Sequence, residues 1–414
     1  MKNIQALILA AGESSRFFPL NTRHKSLIRI MGKPIIQHTI DGLRKSGIND
    51  IIIIQGPGKE IEKDIGKQPG VRYIVQKKPK GMGNAVMQAE KLVRGSFLVL
   101  NAERFDSAEH VAQLVTSEAY FAVLASKTKE PWLYGMLKIE KGKAAGIIEK
   151  PKRGREPSEL KVVGIYLLPR DFFKCYRKVK EHMYAFEDCL SLMMKDCPAK
   201  IVMSDYENLP LKYPWNVLSV SVSAMLREKK KDISKSARIA KSAVIEGYVH
   251  MGDNSRVLEN AVIKGPCFIG KNCLIGNNAL VRESDIEDHC VVGANCEVAR
   301  SVLQENVHLH SGYVGDSVIA RNCRIGAGII TANVRADKSA AMSVVKGEKI
   351  STGMKSLGCM IGENCKLGIG VKTMPGVLIG DNCEIGPCSV VMKNIKSNTR
   401  FHTKFHRIVR KKRR

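Results

Sequence analysis

The chain has 414 residues, 44% of them hydrophobic, with 67 Lys and Arg against 40 Asp and Glu, for a net charge of +27. That length accommodates two or more domains with real cores, and the basic balance calls for anionic ligands without separating small phosphates from nucleic acid or acidic lipid. No apolar run is long enough for a membrane span, and the opening MKNIQALILAAGESSR is too short and interrupted for a secretory h-region; the twelve cysteines include no CxxC pair, so the sequence reads as a cytoplasmic chain without disulfide framework or zinc site.

Residues 1–228 read as an α/β domain. Short apolar runs, IQALILAA, DIIIIQG, VRYIVQ, GSFLVLNA and YFAVLAS, alternate with stretches of helical periodicity such as IIQHTIDGLRKSGI and GNAVMQAEKLV. This is the pattern of a mostly parallel, Rossmann-like sheet flanked by helices, whose ligands sit at the carboxyl ends of the strands. The first strand ends at Gly12, so the loop AGESSR opens where such folds bind phosphate. The basic run REKKKDISKSARIAK places a surface linker at 229–236.

From residue 237 the period changes to six. Ile239, Ile245, Met251, Val257, Ile263, Ile269, Ile275 and Val281 follow without a miss, and the series resumes through Ile286, Val292, Val298, Ile319, Ile325, Ile361, Leu367, Ile379, Ile385 and Val391. Two residues before most of these positions stands something small, and eight of the small residues are Cys267, Cys273, Cys290, Cys296, Cys323, Cys359, Cys365 and Cys383. A six-residue unit with one aliphatic residue inside, one small residue beside it and a glycine relaxing the turn builds a triangular solenoid over 237–395. Two interruptions, 301–316 and 331–356, are expected to project as loops. Residues 396–414 form a basic tail, read as a solvated end, or as an attractor of ligand phosphates or nucleic acid.

The stretch LILAAGESSRFFPLNTRHKSLIRIMGKPII, with Gln76, GMGNA from Gly81, LNAE at 100–103, YG at 134, EKP at 149 and GIY at 164, resembles the sugar-1-phosphate nucleotidylyltransferase signature. With the hexapeptide domain behind it, a left-handed parallel β-helix, the chain resembles the bifunctional nucleotidylyltransferase/acetyltransferase enzymes that make UDP-N-acetylglucosamine, most closely their archaeal type. The resemblance implies that Ala10, Ala11 and Gly12 cradle phosphates, that Arg16 and Lys25 hold the departing pyrophosphate, and that Glu103 carries Mg²⁺. It further implies Gln76 and Gly81 for the base of UTP or dTTP, and Gly135, Glu149, Lys150 and Gly164 around the sugar-1-phosphate.

Departures from the family pattern are Ser14 for the second glycine, His24 before Lys25, Ala102-Glu103 for Gly-Asp, Val162 for a sugar-contacting Asn, and Pro210 for a second metal-binding Asp. Asp205 is the nearby acid expected to substitute. In NVHLHSGYVGDSVIA the acetyltransferase motif falls on His310, Tyr313, Gly315 and Asp316, and in GAGIITANVRADKS on Asn333 and, with a one-residue shift, on Lys338. His310 is then the base for acetyl transfer from acetyl-CoA, Tyr313, Asn333 and Lys338 hold the amino-sugar phosphate, and His308 reads as solvated. A homotrimer is expected by the same likeness. Two alternatives stay open: an acetyltransferase whose first domain only binds nucleotides, and a noncatalytic subunit resembling the γ and ε subunits of the translation initiation exchange factor.

Overall fold

Residues 5–10, QALILA, are buried along their whole length because the strand they form has neighbours on both edges and apolar layers on both faces. In the computed structural model, which describes residues 4–206, 209–406 and 409–410, the chain divides into two units. The first comprises Met1–Ser14, Arg23–Ile28 and Lys33–Pro210, and the second Ser15–Thr22, Arg29–Gly32 and Leu211–Arg414. The N-terminal residues 1–3 and the tail residues 407–408 and 411–414 lie outside the described residues.

In the first unit the elements alternate as expected: β1 (Gln5–Ala10), α1 (Ile35–Lys45), β2 (Asp50–Gln55), α2 (Glu60–Ile65), β3 (Val71–Val75), α3 (Met82–Met87), β4 (Phe97–Asn101), α4 (Ser107–Thr116) and β5 (Ala122–Lys127). There follow β6 (Gly135–Glu140), β7 (Lys143–Glu149), β8 (Leu160–Leu168), α5 (Phe172–Tyr176), α6 (Ala185–Asp196) and β9 (Lys200–Met203). The main path of the sheet runs β9-β5-β8-β4-β1-β2-β3, parallel except for β8, which is antiparallel to β5 and β4; β6 and β7 join off this path as an antiparallel pair, with β6 against β8. Because side chains alternate across a strand, Leu7, Leu9, Ile52, Ile54, Phe97 and Val99 join one core. Ala6, Ile8, Ile51, Ile53, Leu98 and Leu100 join the other. The parallel strands therefore end at one edge, where β1 delivers Gly12 and β4 delivers Glu103.

The second unit begins with α7 (Asn216–Arg227) and continues as three parallel stacks of two- to four-residue strands. One stack places Ile239, Val257, Ile275, Val292, Leu309, Ile325, Leu367, Ile385 and Phe401 in register, one residue per coil. This is a left-handed parallel β-helix of hexapeptide repeats, and the eight small cysteines are all buried in its interior. Burial of each aliphatic side chain on that axis contributes about 1.5–3 kcal/mol.

Two expectations are corrected. The coil starts before residue 237 and runs past 395, because Asp232–Ile233 pairs with His250–Met251 and Arg400–Phe401 with Glu384–Ile385. These end strands are short and polar, so periodicity does not reveal them. Residues 301–316 do not project: Val302–Leu303, His308–Leu309 and Gly312–Gly315 are ordinary coil strands, and two turns one residue shorter keep Leu303, Leu309, Val314 and Ile319 inside. Residues 331–356 do project, as a hairpin of Met342–Val345 with Glu348–Ser351.

Glycine supplies only some of the left-handed turn residues, such as Gly247 and Gly328, both at φ +75. More of these positions fall to asparagines, among them Asn272 at φ +55, Asn322 at φ +62 and Asn382 at φ +55, because a short polar side chain tolerates this conformation. Five of these amides stack as a ladder, Asn306 to Asn322 at 2.9 Å, Asn322 to Asn364 at 3.1 Å, Asn364 to Asn382 at 3.1 Å and Asn382 to Asn398 at 3.0 Å. The glycines serve close approach between coils: a Cβ on Gly293 would lie 1.9 Å from the His310 carbonyl oxygen.

Candidate functional sites

At the carboxyl edge of the first sheet lies a cavity of about 300 Å³ lined by Ala11, Gly12, Lys25, Gln76, Gly81 and Glu103, with His24 and Asn101 beside them. Lys25 Nζ is 2.6 Å from Glu103 Oε1. Burial alone would raise the Glu103 carboxyl, and the charge and hydrogen bond of Lys25 bring it below its ordinary value. His24 is half-buried, with its imidazole lowered to about 4 by desolvation, and its Nδ1 accepts the Ser26 backbone N–H at 3.3 Å. The proline of the family pattern is thus replaced by a residue that caps the short helix Lys25–Leu27.

Ser14 stands at φ +51, and its Oγ accepts the Lys25 N–H at 3.3 Å. Gln76, almost fully buried, donates to Asn84 Oδ1 at 2.9 Å, and Gly81 at φ +91 precedes α3. Asn84 was not anticipated.

Ala10, Arg16, Gly135, Glu149, Lys150 and Gly164 are not part of this lining. Arg16 is exposed on the segment that groups with the second unit. Gly135, Glu149, Lys150 and Val162 gather separately: a Cβ on Gly135 would lie 2.8 Å from Glu149 Oε2 and 3.2 Å from Val162. Lys150 sits at φ +47 and donates its N–H to the Tyr134 carbonyl at 3.0 Å. Gly164, at φ +82, lies where the register of β8 shifts between Val162 and Tyr166. Glu187 in the first turn of α6 joins this group. Burial, and then the Glu149 charge, push its carboxyl up to about 7. Its position in a helix's first turn is what any acidic residue there would show, so the sequence carried no signal for it.

The expected substitute acid, Asp205, is exposed and accepts Gln113 Nε2 at 2.7 Å. The acid that meets this segment is Asp106, whose carboxyl takes the Leu209 backbone hydrogen bond and pairs with Arg104 at 2.9 Å. Among the described residues, Glu103 is therefore the one carboxylate in the cavity lining. A magnesium ion is commonly held by one or two carboxylates together with substrate phosphates, so this donor set fits the ion in its single-carboxylate form.

In the β-helix, Tyr313, Asp316 and Asn333 converge. Asn333 Nδ2 donates to Tyr313 Oη at 3.0 Å and to Asp316 Oδ2 at 2.5 Å. Arg300, missed in the sequence, grips Asp316 with Nε to Oδ1 and Nη2 to Oδ2, both at 2.7 Å. The Asn333 carbonyl accepts the Leu357 N–H at 2.7 Å, closing the base of the projecting hairpin. His310 is held at the end of its coil strand by its N–H to the Ile325 carbonyl at 2.9 Å. It lines a groove of about 720 Å³ on a flat face with Arg324, Lys366, Leu367 and Phe401. His308 lines the same groove and is half-buried rather than solvated; burial, then Arg324, lower its imidazole. Lys338 is exposed in the turn it closes with Arg335, at φ +55.

A cavity at the carboxyl edge of a mostly parallel sheet, followed by hexapeptide coils bearing a Tyr-Asp-Asn cluster, is the layout of a nucleotidyl transferase joined to a hexapeptide-repeat transferase. The nucleotidyl transferase family matches residues 5–216. Bacterial transferase hexapeptide (six repeats) matches 358–393, and the hexapeptide repeat of succinyl-transferase matches 266–281 and 285–312. The chain is 35% identical over 422 residues to the bifunctional protein GlmU of Methanococcus maripaludis (strain C7 / ATCC BAA-1331), covering 99% of this chain and 100% of that one. It is 32% identical to the bifunctional sugar-1-phosphate nucleotidylyltransferase/acetyltransferase of Sulfurisphaera tokodaii, covering 95% and 98%. It is likewise 32% identical to the bifunctional protein GlmU of Methanocaldococcus jannaschii, covering 99% and 100%. The chain belongs to this family of bifunctional nucleotidylyltransferase/acetyltransferase enzymes.

Proposed function

We propose that the second unit transfers the acetyl group of acetyl-CoA to the amine of glucosamine-1-phosphate. The first joins the sugar-1-phosphate to UTP or dTTP with release of pyrophosphate, giving a UDP-N-acetylglucosamine-type product. The observation that carries this reading is the convergence of Asn333, Tyr313 and Asp316 at the base of the projecting hairpin. No helix among the described residues is long and apolar enough to cross a membrane, and we place the reaction in the cytoplasm, run by a homotrimer.

For acetyl transfer, the amine nitrogen attacks the thioester carbonyl carbon, the C–S bond breaks, and the CoA thiolate leaves. A base must take the proton that the attacking amine gives up, and imidazole is the side chain whose charge changes near neutral pH. His310 is assigned that role. Tyr313, Asn333 and Lys338 are assigned to the amino-sugar phosphate, and coil backbone N–H groups to the developing oxyanion.

For nucleotidylyl transfer, a sugar-phosphate oxygen attacks the α-phosphorus, so the site must gather anions. Lys25 and Arg16 attract the phosphates, while Ala10, Ala11 and the N–H groups around Gly12 cradle them. Gln76 and Gly81 meet the base, and Gly135, Glu149, Lys150 and Gly164 frame the sugar. Glu103 would hold Mg²⁺, which when bound neutralises charge on the phosphates. With one acidic ligand in place of two, this half-reaction is expected to be the slower.

An assay with radiolabelled acetyl-CoA or UTP, scoring each half-reaction separately on glucosamine-1-phosphate and N-acetylglucosamine-1-phosphate, tests the proposal. Absence of acetyl transfer to every amino-sugar phosphate tried would sink it.

A further inference from the structure

We propose that Arg300 is a positioning residue of the acetyl-transfer site: acting through Asp316, it fixes which way the Asn333 amide and the Tyr313 hydroxyl face a substrate. The inference rests on reading the second unit as an acetyltransferase.

The polarity follows from donor and acceptor inventories. The guanidinium only donates, and its two parallel bonds of 2.7 Å occupy both oxygens of Asp316. An ionised carboxylate only accepts, so the Asn333 edge against it must be Nδ2; turning the amide over would set oxygen against oxygen. The same Nδ2 spends its other hydrogen on Tyr313 Oη at 3.0 Å. Two consequences follow. Asn333 Oδ1 is turned away from the carboxylate as an acceptor, and Tyr313, having accepted, must direct its own proton outward. A substrate therefore meets one acceptor and one donor of defined sense, a pair matched to sugar hydroxyl or amine groups.

The surrounding backbone fixes the three side chains in place. A Cβ on Gly315 would lie 2.2 Å from Tyr313 Oη, so the ring folds back over a position that only glycine leaves open. The Gly315 N–H is tied to Thr331 Oγ1 at 2.8 Å. Asp316, itself nearly buried, sits at φ +48, and its carbonyl accepts the Gly358 N–H at 2.8 Å. Without Arg300 this carboxylate loses its ion partner in a poorly solvated place, where a charge is costly to keep. Once it takes up a proton it can donate as well as accept, and the sense of the Asn333 amide is no longer dictated. Lysine does not restore the fork, because an ammonium is a point charge without two parallel donors.

The test uses the full chain with acetyl-CoA and glucosamine-1-phosphate. Arg300→Gln, Arg300→Lys, Asp316→Asn and the Arg300→Gln/Asp316→Asn double variant are compared by steady-state kinetics, with melting temperatures measured in parallel. Each single change is expected to lower kcat/KM for the amino-sugar phosphate by about tenfold or more, with KM for acetyl-CoA within about twofold of wild type, and the double variant is expected to be no worse than the poorer single one. Asp316→Asn keeps the shape of the side chain and suits a positive φ, so it carries the test if Arg300→Gln melts early. Multiplicative losses in the double variant would mean that Arg300 acts independently of Asp316, by touching substrate, and would overturn the proposal. Wild-type kinetics in Arg300→Lys would overturn it as well. A wild-type chain without acetyl transfer would remove the functional reading and the inference together.

Discussion

Lys25 Nζ and Glu103 Oε1 lie 2.6 Å apart in the cavity at the carboxyl edge of the first unit's sheet. The lysine thereby neutralises the carboxylate that the family pattern assigns to the metal, while Pro210 offers no side-chain oxygen at the other expected position. Ser14 adds a smaller burden, since a left-handed φ of +51 costs a non-glycine residue about 1–2 kcal/mol. Ser14→Gly, Glu103→Asp and Pro210→Asp together are expected to raise uridylyl transfer by about tenfold, the effect of roughly 1.4 kcal/mol in the transition state. UTP affinity should change little. Pyrophosphate release and titration calorimetry measure the two quantities, and robust transfer by the wild-type chain would show that Glu103 suffices alone.

His310 stands at the end of a regular coil strand, with its side chain exposed and its backbone N–H bonded to the Ile325 carbonyl. Removing the ring leaves that bond intact. His310→Ala is therefore expected to cost about 10²–10⁴ in acetyl transfer, the usual loss of a general base, with an unchanged melting temperature. Acetylation at the wild-type rate would refute the assignment.

Within the second unit, Asp285 and Glu287 are both fully buried and accept backbone N–H groups of Met31 at 3.1 Å and Gly32 at 3.0 Å. Burial raises Asp285 to about 7 and Glu287 well above its ordinary value, the latter also through the Asp285 charge. Their folded values lie above the unfolded ones, so their contribution to stability is full below the ordinary carboxylate range and is lost as pH rises through about 7. Between pH 5 and pH 8 the wild-type melting temperature is expected to fall by about 4 °C or more beyond that of Asp285→Asn. Parallel pH profiles for the two proteins would contradict it.

The groove beside His310 runs along a β-helix face whose outward residues include His308, Arg324, Lys366, Glu384 and Arg400, while Leu309, Ile325, Leu367 and Ile385 point into the core. Closed cyclic association is the usual assembly of such chains, and a trimer is the expected state. Light scattering at micromolar concentration should return three times the chain mass; a monomer there would contradict the assembly.

The order of elements in the first unit and the solenoid behind it were legible because their periods are physical. A strand buried on both faces, such as DIIIIQ, needs an unbroken apolar run, and a coil with one inward residue per side needs an aliphatic every six. Where turn length varied, the same reasoning failed: 301–316 looked like a loop, although shortening two turns by one residue kept Leu309 and Val314 inside. The motif around Tyr313, Asp316 and Asn333 was equally visible as a set of residue types. That Asn333 bonds both of the others, that Arg300 locks Asp316, that Lys25 pairs with Glu103, and that Asp205 turns to Gln113 while Asp106 meets Leu209 were decided only by the tertiary structure. Hydrogen bonds between side chains 16 or more residues apart depend on how the coils and strands stack, and stacking is set by the whole core rather than by any local pattern.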